Sequence, residues 1–315
     1  MSYKEMEEEM ETNSIVQEEV LPYLTLESKP SKVNFQRTLG FVGFGIVNQG
    51  IYLNLKEDMK ENVIIYSLEP KYKNNLEETL STKVNIVTIN TNYDEEGSLK
   101  SLNGLIELIT FYAKNSYSGI LVIKSTVMPK LLFNYLDDND INYSELRIIF
   151  WPEFLNARTA KEDFAIEIPL FGGDVQDIEE LVKYLNIFFI RSFNNYQFGT
   201  WTEVMEYKYF RNMLLMNHFN FLNTVPELFE TDIRRFNNFQ NKHSFDFNSF
   251  SVSNDGKPGV GGACLPKDMA NFIQYQYNIK TLTDTTEPLK FNNKLNTNIN
   301  LLKAVQKHNN EIRGL

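Results

Sequence analysis

The chain has 315 residues, 42% of them hydrophobic, with 24 Phe and 16 Tyr, enough apolar surface for two packed domains of roughly 100–200 residues each. Its 31 Lys and Arg against 41 Asp and Glu give a net charge of −10, which argues against a nucleic-acid surface, since phosphate contacts want a basic stripe. No apolar run nears the roughly 20 residues of a membrane span, the acidic N-terminus is unlike a secretory leader, and a single Cys fits a reducing, cytoplasmic setting.

Residues 1–34 carry Glu5, Glu7, Glu8, Glu9, Glu11, Glu18 and Glu19 with little periodicity and read as a solvated, partly disordered tail. From Thr38 the pattern changes to short β-rich runs separated by helix-length polar segments: Leu39–Gly43, Val63–Tyr66, Val84–Ile89, Ile120–Lys124, Arg147–Phe150 and Ile168–Phe171. Most are continuously apolar, as strands buried on both faces must be. This alternation predicts an α/β, Rossmann-like, doubly wound parallel sheet over residues 35–198, with ligands at the carboxyl ends of its strands.

The β signal fades after about Asn195. Residues 199–315 are expected to form a mainly helical central domain with two long helices, Thr202–Leu228 and Pro288–Ile312. In the second, Phe291, Leu295, Ile299, Leu302 and Val305 recur at three- and four-residue spacing, and Pro288 suits a first turn. Phe236–Phe250, rich in Asn and Phe, is read as core-filling.

Leu39-Gly-Phe-Val-Gly43-Phe-Gly45-Ile46-Val47-Asn48 runs a strand into a glycine turn and a helix. Gly43 permits the tight turn, and Gly45 lets backbone N–H groups reach a pyrophosphate. Asn48 stands at the third glycine position, with Gly50 two residues on. After the second strand, Ser67 occupies the place where an Asp or Glu would hold ribose hydroxyls; Glu69 is the alternative if the strand ends later, and Ser67 with Lys71 would suit a 2′-phosphate.

The only cysteine lies in Gly259-Val-Gly261-Gly-Ala-Cys264-Leu-Pro-Lys267-Asp268. A free Cys can be a small buried hydrophobe. Here the glycines allow close approach, Lys267 can favour a thiolate and Asp268 can accept or relay a proton, so Cys264 is also a candidate nucleophile. The three histidines, His218, His243 and His308, have no metal-ligand spacing, and no metal is expected.

With the glycine turn and the Cys loop in this order, the chain resembles the UDP-glucose/GDP-mannose dehydrogenase family. Lys124-Ser-Thr126-Val-Met-Pro129 looks like its Ser-Thr-Val segment, and Trp151-Pro-Glu153-Phe154-Leu155 followed by Ala160-Lys-Glu-Asp163-Phe164 looks like its Pro-Glu-Phe-Leu stretch. Thr91 with Glu96-Gly97-Ser98 echoes a further loop, and Lys208, Asn212 and Asn223 match helical Lys and Asn positions. The likeness spans about residues 38–315. It implies NAD-dependent oxidation of a nucleotide sugar, UDP-glucose by preference, at C6 to the uronate. Cys264 would carry a thiohemiacetal and then a thioester, with Lys208, Asn212, Asp268, Glu153 and Thr126 in the catalytic set. It further implies substrate contacts from Phe154, Leu155, Asn223, Lys257 and Gly261, and cofactor contacts from Gly43, Gly45, Ile46, Val47, Ser67, Thr91 and Lys267. A homodimer through the helical domain is also implied.

The departures are specific. Asn48 and Ser67 alter the cofactor fingerprint, Ala157 and Arg158 stand where the family has Glu and a small residue, and Lys130 replaces a glycine. No arginine precedes Gly256 where the family has one for substrate; Asn248 is nearest. The chain ends at Leu315, where the family leads into a second Rossmann-like domain, so that nucleotide-clamping domain is expected to be missing. An alternative of a different class is a catalytically quiet binder of a sugar nucleotide or dinucleotide, partnering a full-length relative.

Overall fold

The computed structural model describes residues 39–69, 72, 75–91, 102–156, 158–224, 260, 265–283 and 290–314, without the side chains of 219, 222–224, 276–283 and 290–298. Its strands are β1 (Leu39–Val42), β2 (Val63–Tyr66), β3 (Val84–Val87), β4 (Ile120–Ile123), β5 (Arg147–Phe150), β6 (Leu170–Gly172) and β7 (Gln197–Gly199). They form one sheet in the order β2-β1-β3-β4-β5-β6-β7, with β1 to β5 all parallel. The order reverses beside β1, which opens a crevice between the carboxyl ends of β1 and β3. Val42, Tyr66 and Val87 are level in the ladder, as are Val87, Ile123 and Phe150 along the neighbouring pairs. The residues that follow these five strands therefore line a single edge.

Alternate residues of each strand face opposite layers, and both layers are apolar. Leu39, Phe41, Val84, Ile86, Ile120, Val122, Ile149 and Trp151 face one core, closed by Ile51 of α1 (Ile46–Tyr52) and by Ile178, Leu181 and Leu185 of α5 (Val175–Phe188). Val42, Val87, Leu121, Ile123, Ile148 and Phe150 face the other. That side is closed by α2 (Asn103–Lys114), α3 (Pro129–Asp138) and the first turn of α6 (Trp201–Thr224) through Val204 and Met205. Each fully buried side chain of this size contributes about 1.5–3 kcal/mol of transfer free energy. Burial on both faces is why the strands read as unbroken apolar runs. Asn85 is the exception: within β3 it donates to the Thr79 carbonyl (3.0 Å) and the Tyr117 hydroxyl (2.9 Å), at the amino half of the strand and away from the ligand edge.

Two features depart from the expected sheet. β6 runs antiparallel to β5, with Phe150 opposite Gly172. After Phe150 the chain sends α4 (Ala160–Ile166) against α1, where a Cβ on Gly50 would lie 2.9 Å from that of Ala160 and Asn54 Nδ2 donates to the Lys161 carbonyl (2.9 Å). The chain thus re-enters the sheet from the carboxyl edge. β7 is a strand that the sequence reading lacks, because it is three residues long and largely exposed.

The helical layer is α6, α7 (Leu265–Thr283) and α8 (Lys290–Arg313). Met216 of α6, Met269 and Ile273 of α7, and Ile299, Leu302 and Val305 of α8 share a core with Val260. The periodic stripe expected on the last helix is thus, over these three residues, an internal packing face; Phe291 and Leu295 have undescribed side chains. Residues Gln36–Leu315 cluster as one unit. Among the described residues no helix is long and apolar enough to cross a membrane.

Candidate active site at the carboxyl edge of the sheet

The edge begins at the glycine turn. Gly43 has φ +78°, and a Cβ there would overlap the Thr88 carbonyl oxygen, so the turn depends on glycine. Gly45 is the extended residue that starts α1, no side chain caps the helix, and the space beside its Cα is open. The first-turn amides at Ile46 and Val47 lack intrahelical partners by geometry. Asn48 is fully buried and fills the third glycine position: its Nδ2 donates to the Gly43 carbonyl (2.6 Å) and the Ile86 carbonyl (3.2 Å). The close packing usually assigned to that glycine falls to Gly50 against Ala160. Ser67 directly follows β2 and is buried; its Oγ accepts from the Glu69 amide (3.2 Å), which leaves its own proton for a ligand. These residues fit a dinucleotide: a bare turn, free amides and a hydroxyl in place of the ribose acid.

The chemistry-bearing groups lie farther along the same edge. Lys208 and Asn212 are four residues apart on α6, so they share a face, and both are buried. Lys208 Nζ donates to the Glu153 carbonyl oxygen and lies 3.1 Å from Glu153 Oε1. The other carboxylate oxygen, Oε2, accepts from the Leu155 amide (2.8 Å). Burial alone would push the Glu153 carboxyl up; the Lys208 charge, the Leu155 N–H and the Lys124 charge outweigh it and hold the group below its ordinary range. One turn along α6, Asn212 Nδ2 donates to Asp268 Oδ2 at 2.5 Å, and Lys267 Nζ lies 3.3 Å from the other oxygen of that fully buried acid. Glu153 is thus engaged on both oxygens, whereas Asp268 accepts a hydrogen bond on Oδ2 and meets Lys267 with Oδ1 as an ion pair, with no hydrogen bond to that oxygen among the described residues.

Thr126 and Thr91 tie the loops beyond β4 and β3 together. Thr91 Oγ1 donates to the Thr126 carbonyl (2.6 Å), and Ser125 Oγ bonds both the Ile89 amide and the Ile89 carbonyl at 2.8 Å. Asn271, one turn beyond Asp268 on α7, donates to the Thr91 carbonyl (3.0 Å) and fastens the helical layer to the sheet edge. A small cleft between Thr91, Thr126, Met128, Tyr209, Asn271 and Tyr275 leaves room for roughly one water. Phe154 is half-buried, its ring 5.3 Å from Lys208 Nζ and 5.1 Å from the Arg211 guanidinium, and edge-on to Tyr207.

The structure therefore gathers Gly43, Gly45, Ile46, Val47, Ser67, Thr91, Thr126, Glu153, Phe154, Leu155, Lys208, Asn212, Lys267 and Asp268 along one edge. Cys264, Gly261, Lys257, the loop Glu96–Ser98 and Ala157 lie outside the described residues, as do the side chain of Asn223, the tail 1–34 and Phe236–Phe250. Sequence reasoning missed Lys124 and Asn271. The signal for Lys124 was a cation straight after four apolar strand residues; for Asn271, an amide three residues after Asp268 on one helix face.

Neither the family models nor the curated protein sequences give a match to this chain. Solved structures do. A UDP-glucose dehydrogenase from Pyrobaculum islandicum aligns with TM-score 0.66 at 18% identity, over 90% of this chain and 70% of its own. The GDP-mannose dehydrogenase of Pseudomonas aeruginosa aligns with TM-score 0.52 at 15% identity, over 87% of this chain and 68% of its own. The chain shares their fold. The 3-hydroxyisobutyrate dehydrogenase of Mycobacterium tuberculosis aligns with TM-score 0.54 at 13% identity, over 87% of this chain and 96% of its own. A UDP-D-ManNAc dehydrogenase from Pyrococcus horikoshii is spanned over 63% of its length.

Proposed function

We propose that this chain is an NAD-dependent oxidoreductase that converts the C6 alcohol of a nucleotide sugar, UDP-glucose by preference, to the carboxylate. The observation that carries the reading is the meeting of Lys208, Asn212, Asp268 and Glu153 on the same sheet edge as the Gly43–Gly45 turn. A frame of this extent also covers 96% of a 3-hydroxyisobutyrate dehydrogenase, so a dehydrogenase can be built on little more than what is described here.

Gly43, Gly45, Ile46, Val47, Ser67 and Thr91, with Lys267 beyond them, would hold the dinucleotide. When bound, its nicotinamide would accept hydride from the sugar carbon. Lys208 and Asn212 supply cationic and amide donors for the oxygen that gains charge as the alcohol is oxidised. Cys264, adjacent in sequence to the first residue of α7, adds its sulfur to the aldehyde carbon while the carbonyl oxygen takes a proton. Loss of a second hydride from that carbon, to a second oxidised dinucleotide, and of the hydroxyl proton would leave a thioester. Water then attacks the thioester carbon, the C–S bond breaks, and sulfur regains its proton. Glu153 or Asp268 assists that water, and Thr126 orders it. Glu153 must exchange a present partner to do so, whereas Asp268 Oδ1 accepts no hydrogen bond among the described residues. Phe154, Leu155, Asn223, Lys257 and Gly261 are assigned to the sugar nucleotide.

A homodimer through the helical layer accompanies this reading. Tyr207, Phe210, Leu214 and Phe221 of α6 are all more than half exposed, at spacings of three, four and seven residues that put them on one stripe.

The test is NADH absorbance on mixing the protein with NAD and UDP-glucose. Native protein should form two NADH per sugar, and Cys264→Ser should make no carboxylate while still binding ligand. Full turnover by Cys264→Ser would remove the covalent step. A quiet binder is the second reading, favoured by the pairing of Glu153 on both carboxylate oxygens, which occupies that acid. Ligand heat in calorimetry without any absorbance change would establish it instead.

A further inference from the structure

Arg211 has no part in the chemistry above. It stands three residues after Lys208 on α6 and four after Tyr207. Helical spacing puts it on the border between the buried face of Lys208 and Asn212 and the exposed stripe of Tyr207, Phe210 and Leu214. Its side chain is half-buried. Among the described residues no carboxylate or other hydrogen-bond acceptor meets its guanidinium, and its contact is the ring of Phe154, 5.1 Å away.

The ring alone does not explain an arginine. A methionine or leucine would cover Phe154 as well, without desolvating a charge. A cation over Phe is also held less strongly than a guanidinium fork that gives two parallel charge-assisted bonds to one oxyanion. The neighbouring acid is already taken: Glu153, adjacent to Phe154, meets Lys208 with Oε1 and the Leu155 amide with Oε2. Glu153 therefore balances Lys208, and the positive charge of Arg211 is left uncompensated in a chain of net charge −10. Lys208 Nζ lies 5.3 Å from the centre of the same ring. An anion held by Arg211 is thus one aromatic ring away from the amine assigned to the reacting oxygen.

We propose that Arg211 is a substrate-specificity residue: its fork receives an oxyanion, phosphate or carboxylate, carried by the molecule whose alcohol is oxidised beside Lys208. The inference rests on the oxidoreductase reading for the Lys208 end of that molecule, and on the geometry around Phe154 for the anion. A phosphate would come from a nucleotide sugar and a carboxylate from a hydroxy acid; the planar fork matches both.

The test titrates UDP and 3-hydroxybutyrate by calorimetry into the full chain, without dinucleotide. At least one should bind native protein, and Arg211→Gln should weaken that binding about tenfold or more, as loss of a charge-assisted hydrogen bond implies. Binding of UDP identifies a phosphate as the anion, and binding of 3-hydroxybutyrate a carboxylate. The bound ligand should also slow modification of Arg211 by phenylglyoxal in native protein, read on its peptide by mass spectrometry. That measurement decides the matter even if Arg211→Gln fails to fold. Failure of both ligands to bind native protein, equal affinity in native and Arg211→Gln protein, or unslowed modification would overturn the proposal. NADH formation is read separately. Arg211-dependent binding without NADH would sink the oxidoreductase reading and leave the anion site standing, whereas NADH with Arg211-independent binding would do the reverse.

Discussion

The two ends of the ligand edge are built on different principles. At the β1–α1 end the working parts are backbone: the positive φ of Gly43, the bare Gly45 and the uncapped amides behind it. At the α6–α7 end they are side chains, two buried pairs formed by Lys208 with Glu153 and Asn212 with Asp268. A backbone site tolerates exchange of a nearby side chain if the newcomer ties the backbone down, as Asn48 does with two carbonyls. A buried charge site has no such latitude, because each group is the other's compensation.

The largest expected effect falls on the charged end. Lys208→Met leaves Glu153 buried without its cation and should cost about 3–5 kcal/mol of stability, read as a lowered midpoint in denaturant. The pH dependence has a definite sign. Native Glu153 sits below its ordinary range, so its contribution is complete above the unfolded value and vanishes as pH falls through the lower, folded one. In the variant, burial is no longer outweighed and the carboxyl rises, so acid unfolding should begin at a higher pH. Unchanged acid unfolding would mean that Lys208 is not what holds Glu153 ionised.

Gly43→Ala tests the backbone end. The forced left-handed conformation should cost about 2–3 kcal/mol, with the overlap on Thr88 in addition, measured by thermal unfolding. A variant as stable as native protein would mean that the turn can relax.

Asn48→Gly is the mildest change and the sharpest on the comparison. Two hydrogen bonds to carbonyls disappear and a helical residue gains backbone freedom, for a loss of about 1–2 kcal/mol. NAD affinity by calorimetry should fall while sugar-nucleotide affinity stays level. Because Asn48 and Lys208 share no partner, the stability loss of the double variant should be the sum of the two single losses. A fall in both affinities would show that the two ends are coupled.

Much of this arrangement was legible before any coordinates. Leu39–Val42 and Ile120–Ile123 announce themselves because burial on both faces leaves no polar position, and the glycine turn because a strand must reverse into a helix within two residues. The long helices Trp201–Thr224 and Lys290–Arg313 answer to the expected Thr202–Leu228 and Pro288–Ile312, the second through its three- and four-residue apolar spacing. Lys208 and Asn212 were selected through the family likeness, and the structure shows what they face. Helix α7 has no counterpart in the sequence reading, where Leu265–Asp268 belong to the segment around Cys264.

The sequence by itself determined the segments of β1 to β5 and the turn at Gly43, because each rests on a local requirement of period or φ. Only the tertiary structure decided that β6 runs backwards, that Asn271 reaches Thr91 across 180 residues of chain and that Lys124 lies over Trp151. Those outcomes are contacts between segments distant in sequence, and which partner a buried polar group finds is settled by the packing of whole layers.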